Sequence, residues 1–347
     1  MARQEKRGIS RTEFLRLLKE GRLNGIWLME GEDDNLRDEA LEEIRKTLLA
    51  EGMESLDSAT LTAPDLDELT AACETLPFMS PMRLVILRDQ PGLNGRAEAD
   101  EAFCDYIARV PQTCLALIVS HGTADRRKRL PKALDKLGHV VRFDPMGEDE
   151  LQKWIIARFA ALGKTCDPRA ARELMAVSGT DSTLLAGEVD KMAAAAGEDE
   201  VISAQLVQRI ATRTGEYNVF RMVDAIVAGR ASEAITLTKE LLTDGEDALG
   251  LLAMLLRQYR LLQNIKIFQH EKIPRSSYDQ RLSLPSFQID RLVNQAARLS
   301  GREVKQALDL CLDTEYRVKS GRLNDRAGLE AALIRIISVH ANPQAAK

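Results

Sequence analysis

Ile26-Trp27-Leu28-Met29-Glu30-Gly31-Glu32-Asp33-Asp34-Asn35-Leu36-Arg37-Asp38 is the stretch on which the fold turns. Its first four residues make an apolar run of strand length, ended by Glu30-Gly31. From Asn35 the spacing is helical, with Leu36, Ala40, Leu41, Ile44 and Leu48 on one face of a helix over 35–49. Three further apolar runs follow at 84–87, 115–119 and 139–143, and helical patterns lie between them at 65–75, 98–109 and 129–137. Strands separated by helices imply a parallel sheet covered on both faces.

From Gly147 onward no strand is expected. Helices fit 148–162, 168–177, 181–195 and 203–211, then a series from 217 to 339, with breaks at Gly163, Gly179, Gly197, Gly215, Gly245, Pro274, Pro285 and Gly301. No fixed period recurs, which argues against a solenoid. The chain is therefore α/β first and all-α after.

A length of 347 residues allows two or three domains, and 45% hydrophobic with 29% charged residues excludes wholesale disorder. The formal net charge of −5 excludes a polycation that coats nucleic acid by bulk charge. Yet residues 213–347 carry 20 basic against 16 acidic side chains, so an anionic partner would meet the last third. No apolar run approaches a membrane span, and the polar start MARQEKRGISRTEF does not read as a signal peptide. Five cysteines without a CxxC pair fit a reducing cytoplasm better than a disulfide framework.

The strand-to-helix turn at Gly31–Asp38 stands where a P-loop would be. GxxxxGK[ST] supplies backbone N–H groups, a Lys and a hydroxyl to phosphates and Mg²⁺; here the second Gly, the Lys and the Ser/Thr are absent. Glu32, Asp33 and Asp34 instead crowd the helix N-terminus, where carboxylates act as caps and repel a triphosphate. The strand over 84–87 ends Arg88-Asp89-Gln90, a single acid where an ATPase carries an Asp-Glu pair. His121, His139, His270 and His340 have no metal-ligand spacing, and neither GxSxG nor GxGxxG occurs. No metal, cofactor or catalytic residue is indicated.

Two segments stand out. Thr75-Leu76-Pro77-Phe78-Met79-Ser80-Pro81-Met82-Arg83 is apolar and punctuated by two prolines. The ordinary role for such a segment is a helix end tucked into the core. The alternative is an exposed plug, since the prolines keep the backbone extended and its side chains projecting. Asp125-Arg126-Arg127-Lys128-Arg129-Leu130-Pro131-Lys132 is a basic run that reads as a solvated helix start, placed at the carboxyl edge of the sheet where α/β proteins bind ligands and partners.

IWLMEGEDDNLRDEALEEIR, LPFMSPMRLVILRD, LALIVSHGTADRRKRLPKAL, GTDSTLLAGEVDKMAAAAG, EYNVFRMVDAIVAGRASEAI and LLAMLLRQYRLLQNIK, in that order from about Ile26 to about Val339, resemble the delta subunit of the bacterial DNA polymerase III clamp loader. The resemblance implies three domains: a degenerate AAA+-like α/β domain without a working nucleotide site over 1–143, a small helical lid over 144–213 and a helical collar for oligomerisation over 214–340. It implies a non-catalytic subunit of the holoenzyme that binds the ring-shaped sliding clamp (beta) and opens one interface for loading onto primed DNA. Its partners would be delta-prime and ATP-hydrolysing subunits in a hetero-pentamer, with primer–template DNA in the complex and no membrane. Its place would be the bacterial cytoplasm, at the nucleoid-associated replisome.

The family's clamp-contacting element corresponds here to Leu76, Pro77, Phe78 and Met79. Many relatives place a Leu directly before the Phe, whereas Pro77 intervenes in this chain. Leu251, Leu252, Leu255 and Leu256 crowd one collar helix, and Lys319-Ser320-Gly321-Arg322 offers Lys319 and Arg322 to DNA phosphates. The competing expectations are an enzyme with a motif-free site, which needs a pocket with perturbed acids, and a sequence-specific DNA-binding regulator, which needs a helix-turn-helix.

Overall fold

The computed structural model describes residues 8–341; the first seven residues of the polar start lie outside them. The chain divides into two compact units, one ending at Met146 and the other beginning at Gly147.

The first unit is built on six strands, β1 (Ile9–Ser10), β2 (Gly25–Glu30), β3 (Ser58–Thr62), β4 (Arg83–Arg88), β5 (Cys114–Val119) and β6 (Val140–Arg142). They lie in the order β1-β6-β2-β5-β4-β3, and every pairing is parallel. Counted from β2 and leaving out the short β1, this is the 5-1-4-3-2 order of an AAA+ sheet. Every residue of β2 and β5 is buried, which is why both read as unbroken apolar runs. β3, with the sequence Ser-Ala-Thr-Leu-Thr, is an edge strand with no buried residue and gives no apolar run to find; it and β1 were not expected. Helices Asp34–Leu48, Leu66–Glu74 and Arg129–Leu137 stand close to their expected bounds. The pattern over 98–109 becomes a short helix, Glu101–Tyr106, and a 3₁₀ turn. Phe14 packs edge-on to Trp27 at 5.4 Å between ring centroids, and His139 stacks on the same indole at 4.6 Å.

The second unit is mainly helical. Glu148–Ala161, Pro168–Ser178, Ser182–Ala196 and Ala204–Ile210 come first, and two residues each of β7 (Thr165–Cys166) and β8 (Val201–Ile202) pair in parallel among them. This small ladder corrects the expectation of helices alone; a two-residue strand leaves no periodicity in a sequence. Gly215–Val227, Ala231–Thr243, Ala248–His270, Ser286–Ala297, Gly301–Lys319 and Asp325–Ala341 follow. Ala248–His270 is the axis of this part: Leu251, Leu252, Leu255, Leu256, Tyr259, Leu262 and Ile265 are all buried in one apolar cluster. Gly215 and Gly301 open helices that Thr214 and Ser300 cap through their hydroxyls.

Candidate functional site

The segment between helix Leu66–Glu74 and β4 is not core. Leu76, Phe78 and Met79 are 71%, 72% and 63% exposed, among the most exposed large apolar side chains of the described residues. Leu56, at 57%, is exposed on the short helix Glu54–Asp57. Pro77 is half-buried.

A rigid frame stands behind these side chains. Asp57 is fully buried, and its carboxylate accepts the backbone N–H groups of Phe78, of Met79 at 3.0 Å and of Ser80 at 2.7 Å. The Phe78 N–H above all, with the Ser80 hydroxyl and the Met79 N–H, holds this carboxyl well below the usual carboxylate range although burial opposes the shift. Ser80 Oγ accepts the Ala50 N–H at 2.9 Å. Arg83, the first residue of β4, donates Nε to the Ala72 carbonyl at 2.7 Å and Nη1 to the Leu56 carbonyl at 2.9 Å, tying the preceding helix to the Glu54–Asp57 turn. The sequence marks out neither Asp57 nor the bracing role of Arg83. Their partners are backbone atoms 11–27 residues away, which no side-chain pattern reveals.

The turn after β2 is closed on itself. Gly31 has φ +138°, and a Cβ there would lie 2.1 Å from the Phe143 carbonyl oxygen, so the backbone passes where only glycine fits. The Asp33 N–H donates to that same carbonyl at 3.0 Å, while its side chain caps the Leu36 N–H at 3.0 Å. Arg37, 1% exposed, donates to the Ser120 carbonyl at 3.0 Å and pairs with Asp34. Buried Glu30 accepts the Ala124 N–H at 3.0 Å and a bidentate contact from Arg126, which also meets Asp135 at 3.0 Å. The helix N-terminus that would cradle a phosphate is thus capped by Asp33, and a guanidinium lies beside it.

Three more residues of the basic run are neutralised locally: Arg127 meets Asp125 at 2.8 Å, Lys128 meets Glu98 at 3.0 Å and Arg129 meets Glu101 at 3.6 Å. In the second unit Lys319 pairs with Glu315 at 2.7 Å, and the Arg322 guanidinium stands 5.7 Å from the ring centre of exposed Tyr316. A cleft of about 300 Å³ in that unit is lined by Tyr217, Phe220, Arg257 and Arg291 among others; its one carboxylate, Glu216, is ion-paired to Arg257 at 2.6 Å. Among the described residues no group of three or more His, Cys, Asp and Glu could hold a metal ion, and no helix is long and apolar enough to cross a membrane.

Residues 27–144 match the family model "DNA polymerase III, delta subunit", and residues 216–336 match "DNA polymerase III delta subunit, C-terminal domain". The chain belongs to the DNA polymerase III delta subunit family. It is 24% identical to DNA polymerase III subunit delta of Bacillus subtilis, over 92% of this chain and 95% of the relative. To the Escherichia coli subunit of the same name it is 22% identical, over 87% of this chain and 88% of that one. The solved structure of the Bacillus subtilis DNA clamp loader delta protein shares the fold, with a TM-score of 0.60 at 22% identity, covering 94% of this chain and 99% of that one. A delta subunit is a component of the DNA polymerase III holoenzyme.

Proposed function

We propose that this chain is the clamp-loader subunit that binds the sliding clamp through Leu76, Phe78 and Met79 and opens one interface of the ring, without nucleotide chemistry of its own. The observation that carries the reading is the exposure of three large apolar side chains on a backbone held by Asp57. An apolar patch displayed on a rigid support is what a partner's pocket requires, whereas a free monomer gains nothing from it. Pro77 stands between Leu76 and Phe78, so Phe78 is the firmer anchor, with Leu76 and Met79 exposed on either side of it.

The closed turn at Gly31, with Arg37 and the Asp33 cap, supports the absence of ATP binding: a triphosphate would have to displace a buried guanidinium and meet Asp33 and Asp34. The energy of hydrolysis then comes from the ATPase subunits of a hetero-pentamer that also holds delta-prime. In this reading 1–143 is the clamp-binding domain, 144–213 the lid and 214–340 the collar that joins the neighbours. Lys319 and Arg322, with Tyr316 beside them, contact the primer–template backbone, and the complex works at the cytoplasmic replisome. Calorimetric titration of the full chain into sliding clamp tests this: a saturable isotherm weakened roughly 5- to 30-fold by Phe78→Ala is expected, and no binding by the wild-type chain would overturn it.

A further inference from the structure

The segment Pro77-Phe78-Met79-Ser80-Pro81 has a property that its exposure alone does not convey. Pro77 and Pro81 carry no backbone N–H. The three N–H groups between them all point inward to the one buried carboxylate of Asp57. Five consecutive residues therefore offer a partner no backbone donor at all. What they offer is side chains, two of them large and apolar. A partner cannot add a strand here, because strand addition draws on main-chain donors as well as acceptors. The segment instead inserts side chains into pockets, and its affinity depends on how firmly the backbone behind those side chains is fixed.

We infer that Asp57 is a positioning residue for clamp binding: its carboxylate gathers the amides of residues 78–80 inward and so turns Phe78 and Met79 out together as one preformed anchor. This rests on the clamp-contact reading above. Without the carboxylate the three donors seek water or other acceptors, and the binding-competent arrangement becomes one of several, so the apparent dissociation constant rises in inverse proportion to its population. Asp57→Asn is the sharpest perturbation. It keeps the shape, but it places an NH₂ group against an amide that needs an acceptor.

The test is a double-mutant cycle on the full chain, with clamp affinity as the readout and melting temperature as the control. Asp57→Asn should weaken clamp binding about tenfold or more. In a Phe78→Ala background the same change should cost clearly less, because the larger of the two side chains it positions is gone. Wild-type affinity in Asp57→Asn, or a loss that adds in full to that of Phe78→Ala, would overturn the inference. Unchanged affinity in Phe78→Ala alone would instead overturn the clamp-contact reading on which it rests. Should Asp57→Asn not fold, amide exchange in the wild-type chain decides: the N–H groups of Phe78, Met79 and Ser80 should exchange at least about tenfold slower than an unprotected loop despite their exposed side chains, and exchange at the unprotected rate would overturn it.

Discussion

Replacing both Leu76 and Phe78 with alanine separates two roles that a core packing account and a docking account assign oppositely. The side chains are 71% and 72% exposed, so less than a third of each is shielded in the free chain. At about 1.5–3 kcal/mol for full burial of such a side chain, truncation removes roughly 0.5–1 kcal/mol of stability per residue. For a unit of this size that lowers the melting temperature by only a few degrees. Docking buries the remaining two thirds, about 1–2 kcal/mol per side chain, so the pair should weaken clamp binding roughly 30- to 1,000-fold. Phe103, 3% exposed in the sheet core, is the matched control: Phe103→Ala should cost about 3–5 kcal/mol and melt much earlier. Calorimetry against the clamp and thermal melting, run on the same preparations, give both quantities. A double mutant that melts as early as Phe103→Ala, yet binds the clamp normally when folded, would refute the reasoning.

Gly31→Ala should destabilise the first unit by several kcal/mol, because the added Cβ meets the Phe143 carbonyl and the φ of +138° disfavours any L side chain; denaturant unfolding measures it. Calorimetry with ATP–Mg²⁺ at micromolar concentrations should show no heat of binding to the isolated chain, and binding lost on mutation near Gly31 would contradict the closed turn. DNA binding by the isolated chain should be weak with a shallow salt slope. Lys319→Ala and Arg322→Ala should each lower that slope by about 0.9 for duplex DNA, and a steep slope or sequence selectivity would favour a regulator instead.

What the sequence disclosed follows from what burial does to composition. β2 and β5, covered on both faces, have no choice but continuous apolar residues, and the amphipathic helix Arg129–Leu137 is legible to its last residue because Gly138 ends it in a left-handed turn. β1, β3, β7 and β8 are short or half-exposed, and their residues are held by neighbouring backbone rather than by a pattern of their own. The apolar segment was visible as an oddity, a Phe and a Met between prolines. Its exposure was not, because a buried helix end has the same composition. Asp57 was hidden altogether: an aspartate before Ser-Ala-Thr reads as any surface acid until the fold brings residues 78–80 over it.

The central claim is that docking of this chain opens the ring, and fluorescence transfer across one interface of a doubly labelled clamp tests it most directly. Adding the wild-type chain without ATP should lower the transfer, and the Leu76→Ala/Phe78→Ala chain at equal concentration should leave it unchanged. Unaltered transfer in a clamp shown by calorimetry to be saturated with the wild-type chain would contradict the account.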